Sequence, residues 1–242
     1  MGDTFTNPQV TTHYEADIAI IKFDDKKANA LGHQPIDELL KAFKSVEDAG
    51  AVILIGRPEC FSAGFDLKIM QNSAEQAQSL LRKGVELFLH MYLFPRPVIA
   101  ACTGHAIAAG AILLLSSDIR IGSSGNYKIG LPEVNIGMAL PVFATELARE
   151  RISKRHYTRV TSLGENYNPK EACDVGFLDE IVDPSIVLET SIEKANNLTS
   201  IGKPQLARTR ISARGPVVEI IRQNLDDDLK RFSVIKSETS SG

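Results

Sequence analysis

Strands and helices alternate along most of this chain, an order that predicts an α/β fold with mainly parallel strands. Three observations carry that reading. Residues 51–55 (AVILI) form a short, continuous apolar run, the composition of a strand covered on both faces. Residues 34–47 place apolar side chains at Ile36, Leu39, Leu40, Phe43 and Val46, which is helical spacing. Residues 98–116 join an apolar run, a small-residue turn and a nearly all-apolar stretch, which reads as strand, turn and buried helix.

Taken in order, residues 17–23 (DIAIIKF) are a strand candidate and residues 24–27 a charged turn. The helix at 34–47 and the strand at 51–55 follow, then a loop over 56–65 around Ser62, Ala63 and Gly64. Residues 73–92 read as a long helix. Phe94-Pro95-Arg96-Pro97 stops it and feeds a strand over 98–101. Residues 104–110 are rich in Ala and Gly, so backbone there can approach a ligand closely. After the apolar helix at 109–116 come short strands at 119–121 and 127–129, then helices at 141–151 and 153–162. Asn168-Pro169-Lys170-Glu171-Ala172 looks like a helix start, with Gly176 and a strand at 178–182 beyond it. Helix patterns occupy 185–198 and 215–235, the second with a charged exposed face, and the polar end 236–242 is expected to fray. The expected organisation is a core over 1–184 and a helical extension over 185–242.

The 242 residues suffice for a sizeable core, and 43% hydrophobic with 24% charged residues is ordinary for a globular protein. The net charge of −3 weighs against general nucleic-acid or anionic-membrane binding. Cys60, Cys102 and Cys173 lie far apart with no metal-ligand spacing, and read as buried thiols of a reducing, cytoplasmic setting, with no metal site. The start (MGDTFTNPQVTTHYEAD) has no apolar segment of the kind targeting peptides carry, and the loose Gly2/Thr6 myristoylation pattern reads as chance. No run of eighteen apolar residues occurs, so no membrane span is expected. The common nucleotide, metalloprotease and serine-hydrolase motifs are absent.

If a helix starts near Ala109, its first N–H groups lack intrahelical partners and face whatever lies in front of them, which makes an oxyanion site. The bland alternative is a tightly packed helix–strand corner, and this stretch alone does not choose between them. A wider pattern does. Cys60-Phe61-Ser62-Ala63-Gly64-Phe65-Asp66-Leu67-Lys68 resembles the first oxyanion-hole loop of the crotonase (enoyl-CoA hydratase/isomerase) superfamily. Gly104-His105-Ala106-Ile107-Ala108-Ala109-Gly110, then Ser117-Asp118-Ile119-Arg120 and Gly130-Leu131-Pro132-Glu133, resemble its second loop and acid segment. The resemblance implies a crotonase-like spiral of ββα units, a C-terminal helical trimerisation region giving a homotrimer or dimer of trimers, and an acyl-CoA substrate. Coenzyme A then belongs to the substrate, and no separate cofactor is implied. It also implies Phe65 and Ala109 as N–H donors to the thioester oxygen, and Ala63, Gly64, Asp66, Lys68, Gly110, Ile112 and Lys26 (or Lys27) as substrate-binding residues. Where Ala109 stands, many relatives have glycine; alanine still supplies the N–H.

Glu133 sits in an apolar neighbourhood, where desolvation raises a carboxylate towards the general-base range. Its alternative is a surface glutamate in a Pro-Glu turn, and the two loops decide for catalysis. The double-glutamate hydratases of the superfamily carry a second Glu one turn into the helix; here that position is Ile112. One carboxylate is enough to move a proton from carbon 2 to carbon 4, so the resemblance points to the single-glutamate 3,2-enoyl-CoA isomerase branch. A second acid from Asp66, Glu75, Glu146 or Glu150 would restore a hydratase reading, although Asp66 fits better as a helix cap. Decarboxylation, thioester hydrolysis, and a non-enzymatic RNA-binding or scaffold role are the remaining alternatives. His105 is expected to bond backbone, His90 to pack, and Asp118 with Arg120 to form a structural pair.

Overall fold

A computed structural model describes residues 8–239, with side chains to residue 231. The readings made for the first seven residues and for 240–242 lie outside it. Strands β1 (Val10–Glu15) and β2 (Ile18–Phe23) form an antiparallel hairpin. Then come β3 (Ala30–Leu31), α1 (His33–Ser45), β4 (Ala51–Ile55), β5 (Glu59–Ser62), β6 (Gly64–Phe65), α2 (Leu67–Asn72) and α3 (Ala74–Tyr92). Next are β7 (Val98–Cys102), β8 (Gly104–Ile107), α4 (Ala109–Leu115), β9 (Ile119–Ser123) and β10 (Ile129–Gly130). A 3-10 turn over Glu133–Ile136 leads to α5 (Val142–Arg151), α6 (Tyr157–Thr161), β11 (Asn166–Tyr167), α7 (Pro169–Val175) and β12 (Glu180–Val182). Helices α8 (Val187–Asn196) and α9 (Lys203–Thr239) close the chain.

Six strands form one sheet in the order β1-β2-β4-β7-β9-β12, parallel throughout except at the β1 edge. A second sheet runs β11-β10-β8-β5, and β3 pairs with β6. The chain therefore repeats one move: a strand in the large sheet, a strand outside it, then a helix. β4-β5-α2 and β7-β8-α4 are two turns of this ββα spiral.

The uniform apolarity of 51–55 has a simple cause. Side chains alternate across a strand, so Val52 and Leu54 enter the main core with Phe43, Leu80 and Phe88, while Ala51 and Ile53 face a second core with Ile18, Ile20, Ile99 and Ile121. Val187 and Ala195 of α8 cover that second core. The stretch after residue 184 thus completes the packing of the sheet as well as extending from it.

Local signals account for several helix ends. Ser73 caps α3 by accepting from the Gln76 N–H at 3.2 Å. Asn168 and Glu171 form a reciprocal capping box on α7, with Pro169 inside its first turn and Gly176 left-handed at its end.

Five expectations change. The loop over 56–65 contains β5 and β6, two short strands recruited by β8 and β3. The strand at 127–129 is Ile129–Gly130, and only Tyr157–Thr161 of 153–162 is α-helical. The last helix begins at Lys203, not Gly215, and its backbone stays helical to Thr239, into the segment expected to fray. It passes through Pro216, whose ring sits on the exposed face, because Val217, Val218 and Ile221 are buried just beyond and Arg210 and Arg214 are anchored just before. Finally, Asp118 and Arg120 do not pair. Asp118 accepts from Arg210, from Arg214 at 2.7 Å and from the Val98 N–H at 2.8 Å, whereas Arg120 faces the neighbouring strand and binds Asp179.

Candidate active site

The first loop is built by side chains that hold its backbone. Asn29, fully buried at φ +49°, donates to the Phe23 carbonyl at 2.7 Å and the Phe61 carbonyl at 3.1 Å. Ser62 Oγ donates to the Asn29 carbonyl at 2.7 Å and accepts from the Gly64 N–H at 3.2 Å. Asn tolerates the left-handed region better than other non-glycine residues, so the loop's geometry is set from a residue more than thirty positions upstream. No motif in the sequence marked Asn29; an Asn two residues past the charged turn is the one signal it leaves.

The two loops touch. Gly64 has φ +91°, and a Cβ there would lie 2.9 Å from the Ile107 carbonyl oxygen and 3.2 Å from the Ala109 nitrogen. Gly110 backs onto β5, where a Cβ would reach 2.2 Å from the Ser62 carbonyl oxygen. Any side chain at either position would push the loops apart. The Phe65 ring packs against Phe88 and over Gly84, and the residue also lines the cavity. α4 starts at Ala109, after Ala108 at φ +53°.

Ala63, Phe65, Ala109, Ile112 and Glu133 meet around a cavity of about 230 Å³, walled further by Met70, Leu81, Met138 and Phe143. Glu133 is the one titratable side chain on this wall among the described residues. Burial pushes its carboxyl up to about 7, partly offset by its own backbone N–H, and Oε2 is buried without a hydrogen-bond partner. Ile112 is fully buried in the wall.

The other acids stand elsewhere. Asp66 caps α2 by accepting from the Lys68 N–H at 2.8 Å. Glu146 pairs with Arg149 at 3.2 Å, Glu150 accepts from the Tyr92 hydroxyl at 3.4 Å, and Glu75 lies in the first turn of α3. None of the four lines the cavity. Ala63, Phe65 and Leu67 also border an outer groove that holds Asp66, Lys68 and Lys27. Lys26, placed with the substrate residues on sequence, is instead tied to Asp24 at 2.8 Å. Gly64 and Gly110 shape the loops from behind the wall. His105 accepts from the Lys128 N–H at 3.0 Å, and His90 packs edge-on to Phe43 and Phe94. The three cysteines are free.

A ββα spiral whose two loops line one cavity with a single carboxylate, among the described residues, defines a protein of the crotonase fold. The enoyl-CoA hydratase/isomerase family model matches residues 13–240, and the chain belongs to that family, whose members act on acyl-CoA thioesters. Among curated proteins it is similar to mitochondrial enoyl-CoA delta isomerase 1 of Rattus norvegicus, 32% identical over 187 residues, covering 74% of this chain and 64% of the rat protein. The chain thus spans just under two thirds of that relative. Among solved structures it is similar to human mitochondrial delta3-delta2-enoyl-CoA isomerase, with TM-score 0.91 and 27% identity over 96% of this chain and 93% of that one. An enoyl-CoA hydratase from Mycobacterium marinum is also similar, with TM-score 0.87 and 34% identity over 93% of this chain and 99% of that one. Relatives of both kinds flank the chain.

Proposed function

We propose that the protein shifts the double bond of a 3-enoyl-CoA to give the trans-2-enoyl-CoA, with Glu133 as the sole proton shuttle. The observation that carries this reading is the single carboxylate among the described residues of an otherwise apolar cavity, with the buried Ile112 in the same wall where the hydratase pattern has a second acid. Glu133 removes a proton from carbon 2. The electron pair spreads over the dienolate, and negative charge gathers on the thioester oxygen. The N–H groups of Phe65 and Ala109 receive that charge; one such donor typically contributes about 3–4 kcal/mol to the transition state. Glu133 then returns the proton to carbon 4, and the double bond lies between carbons 2 and 3. The net change moves one hydrogen and one double bond, and no atom is gained or lost. A carboxyl with a pKa near 7 suits both halves of the cycle, because it gives up and accepts a proton with similar ease. We place the nucleotide of coenzyme A in the outer groove, beside Lys27 and Lys68.

The test is to incubate pure protein separately with a 3-enoyl-CoA and a 2-enoyl-CoA and follow mass and retention time. Isomerisation keeps the mass and moves the retention time. Addition of one water to the 2-enoyl-CoA at a comparable rate would make the protein a hydratase and overturn the reading. We also propose a trimer or dimer of trimers, supported by the apolar Ile211 and Ile220 left exposed on α9. A monomer by light scattering at micromolar concentration refutes it.

A further inference from the structure

Glu133 opens a four-residue 3-10 turn, and so short a turn does not by itself fix where its first side chain points. Two attachments to neighbouring parts of the chain do. Upstream, Ile129 and Gly130 are held in β10 between β8 and β11. Downstream, Asn135 Nδ2 donates to the Gly164 carbonyl at 2.8 Å. Its partner only accepts, so the amide nitrogen and not the oxygen must face it. The acceptor is itself fixed. Gly164 has φ +61°, and a Cβ there would lie 2.6 Å from Val134 Cγ2 and 3.0 Å from Asn135 Nδ2. Next to it, Glu165 is held by Arg159 at 2.8 Å and by the Tyr167 hydroxyl at 3.0 Å.

We infer that Asn135 is a positioning residue, whose clamp on the Gly164 carbonyl holds the turn that aims Glu133 into the cavity. The inference rests on the reading of Glu133 as the base. Its logic is steric and electrostatic. Glu133 keeps Oε2 away from every protein donor and from water only while the turn is pinned. Burial raises its pKa, opposed by its own backbone N–H alone, and among the described residues no other titratable group shares its wall. A released turn lets the carboxylate swing towards solvent, which misplaces the base and removes the cause of its raised pKa together.

Asn135 is exposed, so its replacement spares the core. Asn135→Asp keeps the shape but turns the donor into an acceptor facing a carbonyl; Asn135→Ala removes the contact; Gly164→Ala presses on the clamp from the other side. With 3-hexenoyl-CoA as probe, kcat should fall on the order of 10²-fold, the scale of an ångström-sized misplacement, while KM stays within about threefold. The acid limb of the kcat profile should move to lower pH in all three variants. Parental kcat in both Asn135 variants overturns the inference. So does a lowered kcat with an unmoved acid limb, which is the mark of general loosening. Parental activity in Glu133→Gln would instead remove the base reading and this inference with it.

Discussion

Two carboxylates that emerge from neighbouring turns of the spiral live under opposite rules. Asp118, just before β9, meets two guanidinium groups and a backbone N–H, and one of those arginines, Arg210, is 5% exposed. Glu133, just after β10, meets no cation among the described residues and leaves one oxygen unpartnered. The first region spends its charge on tying α9 to the large sheet. The second keeps its charge uncompensated, which destabilises the fold locally and, on the proposed mechanism, leaves a base free to react. Charge satisfaction, more than residue type or depth, separates the structural acid from the proposed base.

The sharpest way to break the contrast is the same isosteric change at both positions. Glu133→Gln keeps size and hydrogen bonding and removes the base, so isomerase turnover should fall by about 10²–10⁴-fold with substrate binding little changed. Steady-state kinetics on protein with an unaltered circular dichroism spectrum decides it; an unimpaired variant would sink the single-glutamate mechanism. Asp118→Asn leaves Arg210 buried beside a neutral partner, and should cost on the order of 3–5 kcal/mol of stability by urea unfolding. Arg210 and Arg214 reach Asp118 from α9, so a loss under 1 kcal/mol would mean that the pairing contributes little to docking that helix.

The sign of the stability change also differs. The folded-state pKa of Glu133, about 7, lies above its ordinary 4.5, so the native state holds an extra proton between those values. Its contribution to stability is greatest below pH 4.5 and is lost as pH rises through 7. Glu133→Gln should therefore unfold at higher urea than the parent at pH 8 and at nearly the same urea at pH 4.5, whereas Asp118→Asn is destabilised at pH 8. The activity profile follows from the same group: kcat should fall as pH drops below about 7, because the base must be ionised.

The smallest effect expected is at Ile112. Ile112→Glu puts a second acid in the cation-free cavity, where two close carboxyls force one to stay protonated. Lower stability, by about 1–3 kcal/mol, should accompany any gain of water addition to a 2-enoyl-CoA. Unchanged melting would show that the cavity wall is wetter than its lining suggests.

How much of this was readable in the sequence depends on distance along the chain. That Glu133, Phe65 and Ala109 line one cavity was legible because each sits in a short motif that resembles a known family's loops. The parallel sheet was legible because runs such as 51–55 carry the signature of double burial within themselves. Asn29 and Asn135 were not, since their roles reside in carbonyls about thirty residues away, and an Asn in a loop looks alike whether or not it finds one. The pairing expected between Asp118 and Arg120 failed for the same reason. Nearness in sequence made the pair attractive, but strand geometry delivered Asp118 to a helix some ninety residues later. The start of α9 was placed at Gly215 and not Lys203, and the burial and ion pairs that carry the helix through Pro216 leave no mark in the letters.

The second core beneath α8 sets a limit on how the molecule can be cut. The faces of β2, β4, β7 and β9 that carry Ile18, Ile20, Ile53, Ile99 and Ile121 have their cover in a helix encoded after every residue of the cavity. A fragment ending at residue 184 would retain each group proposed for the chemistry and still present a bare aliphatic sheet to water. Such a fragment is expected to self-associate through that face. Exchange of active sites between relatives should therefore carry α8 along with the loops, because the unit that can be transplanted is larger than the unit that reacts.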